Sequence, residues 1–187
     1  LLGGEVPLWA YLGAAAAGAV LVAALGLLVD QFILKRLRQV EDAYVLIATY
    51  ALLLVCEGAT KLVWGLGYHS VPPPAMFDGA FVAGNFVVPQ FSLFVIAAGI
   101  VVFVLIEWML NGTGVGRLIK AVAMDAWTAR LLGVNVTLVF TLTVLIGFAL
   151  AGLAGGLLLS NQSLSPELAG VFIIQAFGVI IVGGMGS

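Results

Sequence analysis

The sequence predicts an all-α integral membrane protein with about five transmembrane helices, and three observations carry that prediction. Of 187 residues, 63% are hydrophobic and only 9% are charged, with a mean hydropathy of +1.23; a soluble domain carries about 25% charged residues. The apolar runs are long and continuous, which suits spanning helices and lacks the two-residue alternation of an outer-membrane barrel. The basic residues gather in alternate loops, as they do in a chain that threads a bilayer back and forth.

Val6–Val29 is the first predicted crossing, 24 residues without a charge. At 1.5 Å per residue it spans roughly 36 Å, enough to cross with some tilt. Pro7 suits a first helical turn, and Ala14 with Gly18 forms a small-residue pair four apart. Asp30–Asp42 is the first polar segment, with Lys35, Arg36, Arg38 and Glu41. Its Phe32, Ile33, Leu34 and Leu37 allow the first helix to extend into the interface. Ala43–Leu66 is the second crossing, and it carries Glu57 and Lys61, one helical turn apart on one face. Trp64 and Tyr68 near its end fit an interfacial aromatic belt.

Residues 67–89 read as a loop, because Pro72, Pro73 and Pro74 block a helix. Within it, Ala80–Ala83 and Phe86–Val88 flank Gly84-Asn85, the pattern of a short β-hairpin. Gln90–Leu110 is the third crossing, closed by Asn111-Gly112-Thr113-Gly114, with glycine available for a C-cap. Residues 115–136 form the second basic loop, Val136–Ser160 the fourth crossing, and residues 161–167 a short turn with Pro166. A fifth crossing begins at Leu168.

Six basic residues fall in the loops 30–42 and 111–136, and none in 67–89 or 161–167. The positive-inside bias therefore predicts both basic loops on the cytoplasmic side and residue 1 outside.

The chemistry-bearing residues are few. No Gly-x-x-x-x-Gly-Lys-Ser/Thr run is present, so no P-loop nucleotide site is expected, and Gly112–Gly116 follows no strand and is no dinucleotide fingerprint. No Cys/His cluster has metal-ligand spacing, and neither a zinc-protease helix motif nor a nucleophile elbow occurs. Catalytic residues, metals and cofactors are thus expected to be absent from this chain, and no basic tract points to nucleic acid. Cys56 reads as a small residue in an apolar run, and His69 as a solvated loop residue.

Three features remain. In the second basic loop, Val122, Ala126, Ala129, Leu132 and Gly133 fall near one helical face, with Asp125 and Arg130 elsewhere. That pattern fits a helix docking in a partner's groove and equally a helix lying on lipid headgroups. In the fourth crossing, Gly147, Ala151 and Gly155 form one small-residue ridge and Gly152 with Gly156 another, the spacing for close helix packing. Glu57 and Lys61 read either as a polar step in a translocation path or as a paired structural charge.

Across the second basic loop the sequence resembles the permease subunits of branched-chain amino acid ABC importers (LivH/LivM type). The matching residues are Thr113, Gly116, Arg117, Lys120 and Ala121; then Asp125, Ala129, Gly133, Val134 and Asn135; then Ala151, Gly152, Ala154 and Gly155. Trp64-Gly65 before a proline-bearing loop and Gly183-Gly184-Met185-Gly186-Ser187 match as well, so the resemblance covers about residues 30–187. Met124 and Ala126 depart from the acidic residue and proline often found beside the aspartate. The general loop motif of ABC importers persists only as Ala129 and Gly133.

The resemblance implies a single transmembrane permease domain over residues 1–187. Its start at Leu1 and its end inside a glycine-rich run predict an internal fragment, with further N- and C-terminal parts expected. It implies an inner-membrane importer with two cytoplasmic ATP-binding subunits that carry ATP and magnesium, a second permease subunit and a periplasmic substrate-binding protein. Residues 116–135 would be the coupling segment, with Arg117, Lys120, Asp125, Ala129, Arg130, Gly133 and Asn135 at the contact. An ion-coupled carrier or channel working without an ATPase, and a membrane scaffold that assembles partners, are the competing readings.

Overall fold

The computed structural model describes residues 7–37, 42–68, 70–77, 79–83 and 86–183. Among them, Leu8–Leu37, Tyr44–Trp64, Gln90–Gly112 and Val136–Leu158 are long and apolar enough to cross a membrane. A fifth apolar helix, Leu168–Gly183, has 16 residues. The remaining residues of the glycine-rich tail motif, 184–187, lie outside the described residues, as do Arg38, Glu41 and His69.

The chain forms two compact units. One comprises Leu1–Asp30 and Pro72–Asn161, the other Gln31–Val71 and Gln162–Ser187.

The first unit is built on helix α1 (Leu8–Val29) packed along helix α7 (Val136–Leu158). Small residues make that approach possible. A Cβ on Gly156 would stand 2.8 Å from the Ala15 Cα, and one on Gly152 would stand 2.8 Å from the Ala19 Cα. Ala15, Ala19 and Ala23 are buried on the facing side of α1. Because lipid tails are as apolar as the helices, such close van der Waals contact is the main attraction available between them. At one end of the pair the Tyr11 hydroxyl donates to the carbonyls of Gly156 and Leu157, 3.0 Å each, a shared bond to the open last turn of α7. The Tyr11 ring meets Phe91 edge-on at 5.7 Å, and Phe77, Phe94 and Leu153 pack around them.

Phe91 belongs to helix α4 (Gln90–Gly112). It is entered from a two-stranded antiparallel hairpin, β1 (Ala80–Ala83) and β2 (Phe86–Pro89), with Ala80 opposite Pro89 and Ala83 opposite Phe86. This is the hairpin the sequence predicts; its Gly84-Asn85 turn lies outside the described residues.

The first helix extends into the polar segment, as its apolar residues allow. The helix continues through one π turn, Asp30–Leu34, into helix α2 (Lys35–Leu37). Asp30 is fully buried and accepts a hydrogen bond from the Thr141 hydroxyl of α7 at 2.6 Å. A carboxylate that can find such a partner stays in the helix, and the wider turn absorbs the extra residue. The glycines available after α4 do not cap it. The helix runs through Gly112, and extended Thr113 (φ −106°, ψ 157°) ends it.

In the second unit, helix α3 (Asp42–Trp64) ends on Gly65. Gly65 takes the left-handed conformation (φ +80°) and donates its N–H to the Lys61 carbonyl at 3.0 Å, the single-bond glycine cap. The same unit holds the 162–167 turn and helix α8 (Leu168–Gly183).

Candidate functional site

The second basic loop is a helical elbow, and each residue of its sequence motif has a local mechanical reason. Thr113 closes α4 and opens helix α5 (Gly114–Met124). Its hydroxyl donates to the Met109 carbonyl at 2.6 Å and accepts from the Gly116 N–H at 3.1 Å. At Gly116 a Cβ would collide with the carbonyls of Met109 and Leu110, so the elbow closes only with glycine there. Asp125 ends α5 and caps helix α6 (Ala126–Leu131), its carboxylate accepting from the N–H groups of Trp127 (2.9 Å) and Thr128 (3.1 Å) and from the Thr128 hydroxyl. The Thr128 hydroxyl first, then the Thr128 N–H, hold the Asp125 carboxyl below its usual range, with the Trp127 N–H adding to them.

Helix α6 ends in a Schellman turn. The Gly133 N–H donates to Arg130 O and the Val134 N–H to Ala129 O, 3.1 Å each, with Gly133 left-handed at φ +85°. Asn135 then caps α7, accepting from the Leu138 N–H at 3.1 Å. Thr113, Gly116, Asp125, Gly133 and Asn135 are therefore the hinges that set the elbow's path.

Most of the face expected to dock is turned inward, whereas Leu132, expected on it, is exposed. Val122 and Ala129 are buried with Val136 and Val139, and Ile119, Ala126 and Val134 pack against them. The loop thus folds onto the start of α7, because burying that stripe in its own chain satisfies it directly. The outward side carries Met124, Trp127, Leu131 and Leu132, 69% to 89% exposed, with Arg117 and Arg130 also exposed. Lys120 donates to Asn111, which in turn donates to Glu107, tying α5 back to α4.

The two glycine ridges of α7 also separate. Gly152 and Gly156 take the contact with α1, while a Cβ on Gly147 or Gly155 would meet nothing within 4 Å, and Ala151 is exposed.

The family model described as the permease component of branched-chain amino acid transport systems matches residues 1–187. The chain belongs to this family. Curated relatives include the high-affinity branched-chain amino acid transport system permease protein LivH of Escherichia coli, 26% identical over 96% of this chain. LivH of Salmonella typhimurium is 26% identical over the same share, and the BraD permease protein of Pseudomonas aeruginosa is 26% identical over 98% of the chain. The chain spans about three-fifths of the length of these relatives, 60% of each LivH and 61% of BraD. No solved structure matches it.

Two more places in this permease-family chain hold polar groups in helices long and apolar enough to cross a membrane. One is the Asp30–Thr141 pair. Sequence reading missed it because Asp30 sits at a run's end and its partner lies 111 residues away. The other is Glu57–Lys61, paired at 2.6 Å on one turn of α3. An exposed i,i+4 ion pair gains about 0.2–0.5 kcal/mol. A charge at the centre of a spanning helix costs about 2.5–3.5 kcal/mol on the insertion scale, and position near the helix end lowers that cost. At the end of α3 lies a cavity of about 570 Å³, walled by Thr60, Trp64, Gly65, Gly67, Leu164, Ser165 and Pro166. Among the described residues no group of three or more His, Cys, Asp or Glu could hold a metal ion.

Proposed function

We propose that this chain is the membrane-spanning part of an ATP-driven importer for branched-chain or related small amino acids. In this reading the α5–α6 elbow is its coupling segment to cytoplasmic ATPases. The observation that carries this is the division of the elbow into two faces. One face is clamped to α7 by Val122, Ala129, Val136 and Val139. The other presents Trp127, Leu131 and Met124 beside Arg117 and Arg130. A rigid ledge with an apolar, basic-edged outer face can take a push from a partner and pass it to the spanning helix it is packed on. Family membership and the names of the relatives support the substrate class.

The importer has two ATP-binding subunits, which hold ATP and magnesium, a second permease subunit and a periplasmic binding protein. The whole segment acts as one permease domain and performs no covalent chemistry. Residue 1 lies outside, and residues 30–42 and 111–136 lie in the cytoplasm; the basic residues of those loops support this orientation.

Replacing Trp127 and Leu131 with aspartate tests the reading, because neither side chain is needed by the buried face. The expected result is loss of ATPase co-purification and at least tenfold slower leucine uptake by the assembled transporter, with a normal permease yield. Retained ATPases and undiminished uptake, or uptake driven by an ion gradient without any ATPase, would overturn it.

A further inference from the structure

We propose that the cavity at the end of α3 is an entry subsite for a zwitterionic amino acid. Lys61 takes the α-carboxylate, Glu57 takes the α-ammonium, and Trp64, Leu164 and Pro166 hold the apolar side chain. The proposal deepens the importer reading and rests on it for the substrate class. The cavity's 570 Å³ lies within the range of small-molecule pockets, about 300–1,000 Å³. Its lining has the usual make-up of such a site: mostly apolar walls with few polar groups, here Thr60 and Ser165. The Thr60 hydroxyl is already committed to the Cys56 carbonyl at 2.8 Å, so the walls alone offer little to hold a charged head group.

The charged groups flank the lining residues along α3 and are not themselves part of the lining. Glu57 lies three residues before Thr60 and seven before Trp64, on the stripe of α3 that walls the cavity. Lys61 follows Thr60 directly, and its carbonyl receives the Gly65 cap. From the opposite wall, Glu167, the neighbour of Pro166, acts electrostatically on Lys61. The Lys61 and Glu57 side chains keep 34% and 19% of their surface accessible, so both heads remain reachable.

A pair of opposite charges selects a ligand that carries both signs. A net anion or cation would satisfy one partner and strand the other, whereas a zwitterion exchanges one internal ion pair for two external ones. When the ligand leaves, Glu57 and Lys61 close on each other again. Such a site binds weakly and releases readily, as a translocation path requires.

The test is equilibrium binding of L-leucine to the purified full-length permease, read by saturation-transfer NMR, with leucine uptake by the assembled transporter measured in parallel. Isocaproate, which lacks the ammonium, and isoamylamine, which lacks the carboxylate, serve as single-charge probes. The expected result is leucine binding at least tenfold tighter than either probe, and at least tenfold weakened in both Glu57→Gln and Lys61→Gln. The swap Glu57→Lys with Lys61→Glu preserves an ion pair and should not restore binding, because it reverses the ligand relative to the apolar wall. Leu164→Trp, which fills the cavity, should weaken leucine more than alanine. Absence of leucine binding, equal binding of the single-charge probes, or full recovery in the swap would overturn the subsite. Binding that follows these rules in a chain that shows no ATP-driven uptake would support the subsite and overturn the importer reading instead.

Discussion

Substitution of Gly133 separates backbone strain from bulk in the coupling elbow. Gly133 sits at φ +85° in the Schellman turn that joins α6 to α7, and a Cβ there would meet nothing within 4 Å. Any penalty therefore comes from the backbone and not from collision. An L-residue held left-handed costs about 1–2 kcal/mol. Asparagine tolerates that conformation better, and a β-branched residue tolerates it least. Gly133→Asn, Gly133→Ala and Gly133→Val thus form a graded series with small effects on assembly. The chain relieves the strain by opening the turn, which releases the Gly133–Arg130 and Val134–Ala129 bonds and loosens the Asn135 cap. A shift of 1–2 kcal/mol changes the population of the closed turn by about 5–30-fold. Amide exchange at Gly133 and Val134 should accelerate by that factor in the valine variant and much less in the asparagine variant. Leucine uptake per ATP hydrolysed should fall in the same order at normal complex yield. Equal exchange and equal coupling in the asparagine and valine variants would refute the reasoning.

The two ridges of α7 should respond differently to bulk. Gly152→Leu and Gly156→Leu press on the Ala19 and Ala15 backbone and should destabilise by about 1–3 kcal/mol, the usual cost of overpacking; Gly147→Leu and Gly155→Leu should leave the melting temperature of the purified permease unchanged. A uniform drop across all four would contradict the assigned α1–α7 contact. The Asp125 cap should also leave a pH signature. Its folded-state carboxyl lies below the ordinary 3.8, so its stabilisation is fully present above that value and is lost as pH falls through the depressed one. The melting-temperature difference between the native chain and Asp125→Asn should therefore shrink in acid, and a difference that stays constant with pH would remove the cap from the account.

Local chemistry made much of the elbow legible in advance. Thr113, Asp125, Gly133 and Asn135 stand out in sequence because caps and left-handed turns demand particular residues whatever surrounds them. Asp125, Gly133 and Asn135 were expected at a partner contact, and together with Thr113 they also set the path of the elbow. The glycines available after α4 are not its cap for a related reason. Two glycines flank Thr113, but the threonine hydroxyl serves both helices at once.

Helical spacing put Val122, Ala126, Ala129, Leu132 and Gly133 on one face, yet Leu132 is 79% exposed, and spacing is silent on what covers a face. Only the fold shows that the start of α7 covers it and that Trp127 and Leu131 are left outside. The sequence by itself determined the number and order of the apolar helices, the hairpin before α4 and the Glu57–Lys61 pair. These depend on hydropathy, turn residues and i,i+4 spacing, all of which act over a few residues. The tertiary structure decided which glycine ridge meets α1, which side of the elbow is free, and that Asp30 is buried against Thr141. Each of those is a contact between residues far apart in the chain, and backbone approach, not local preference, chooses among the faces a helix offers.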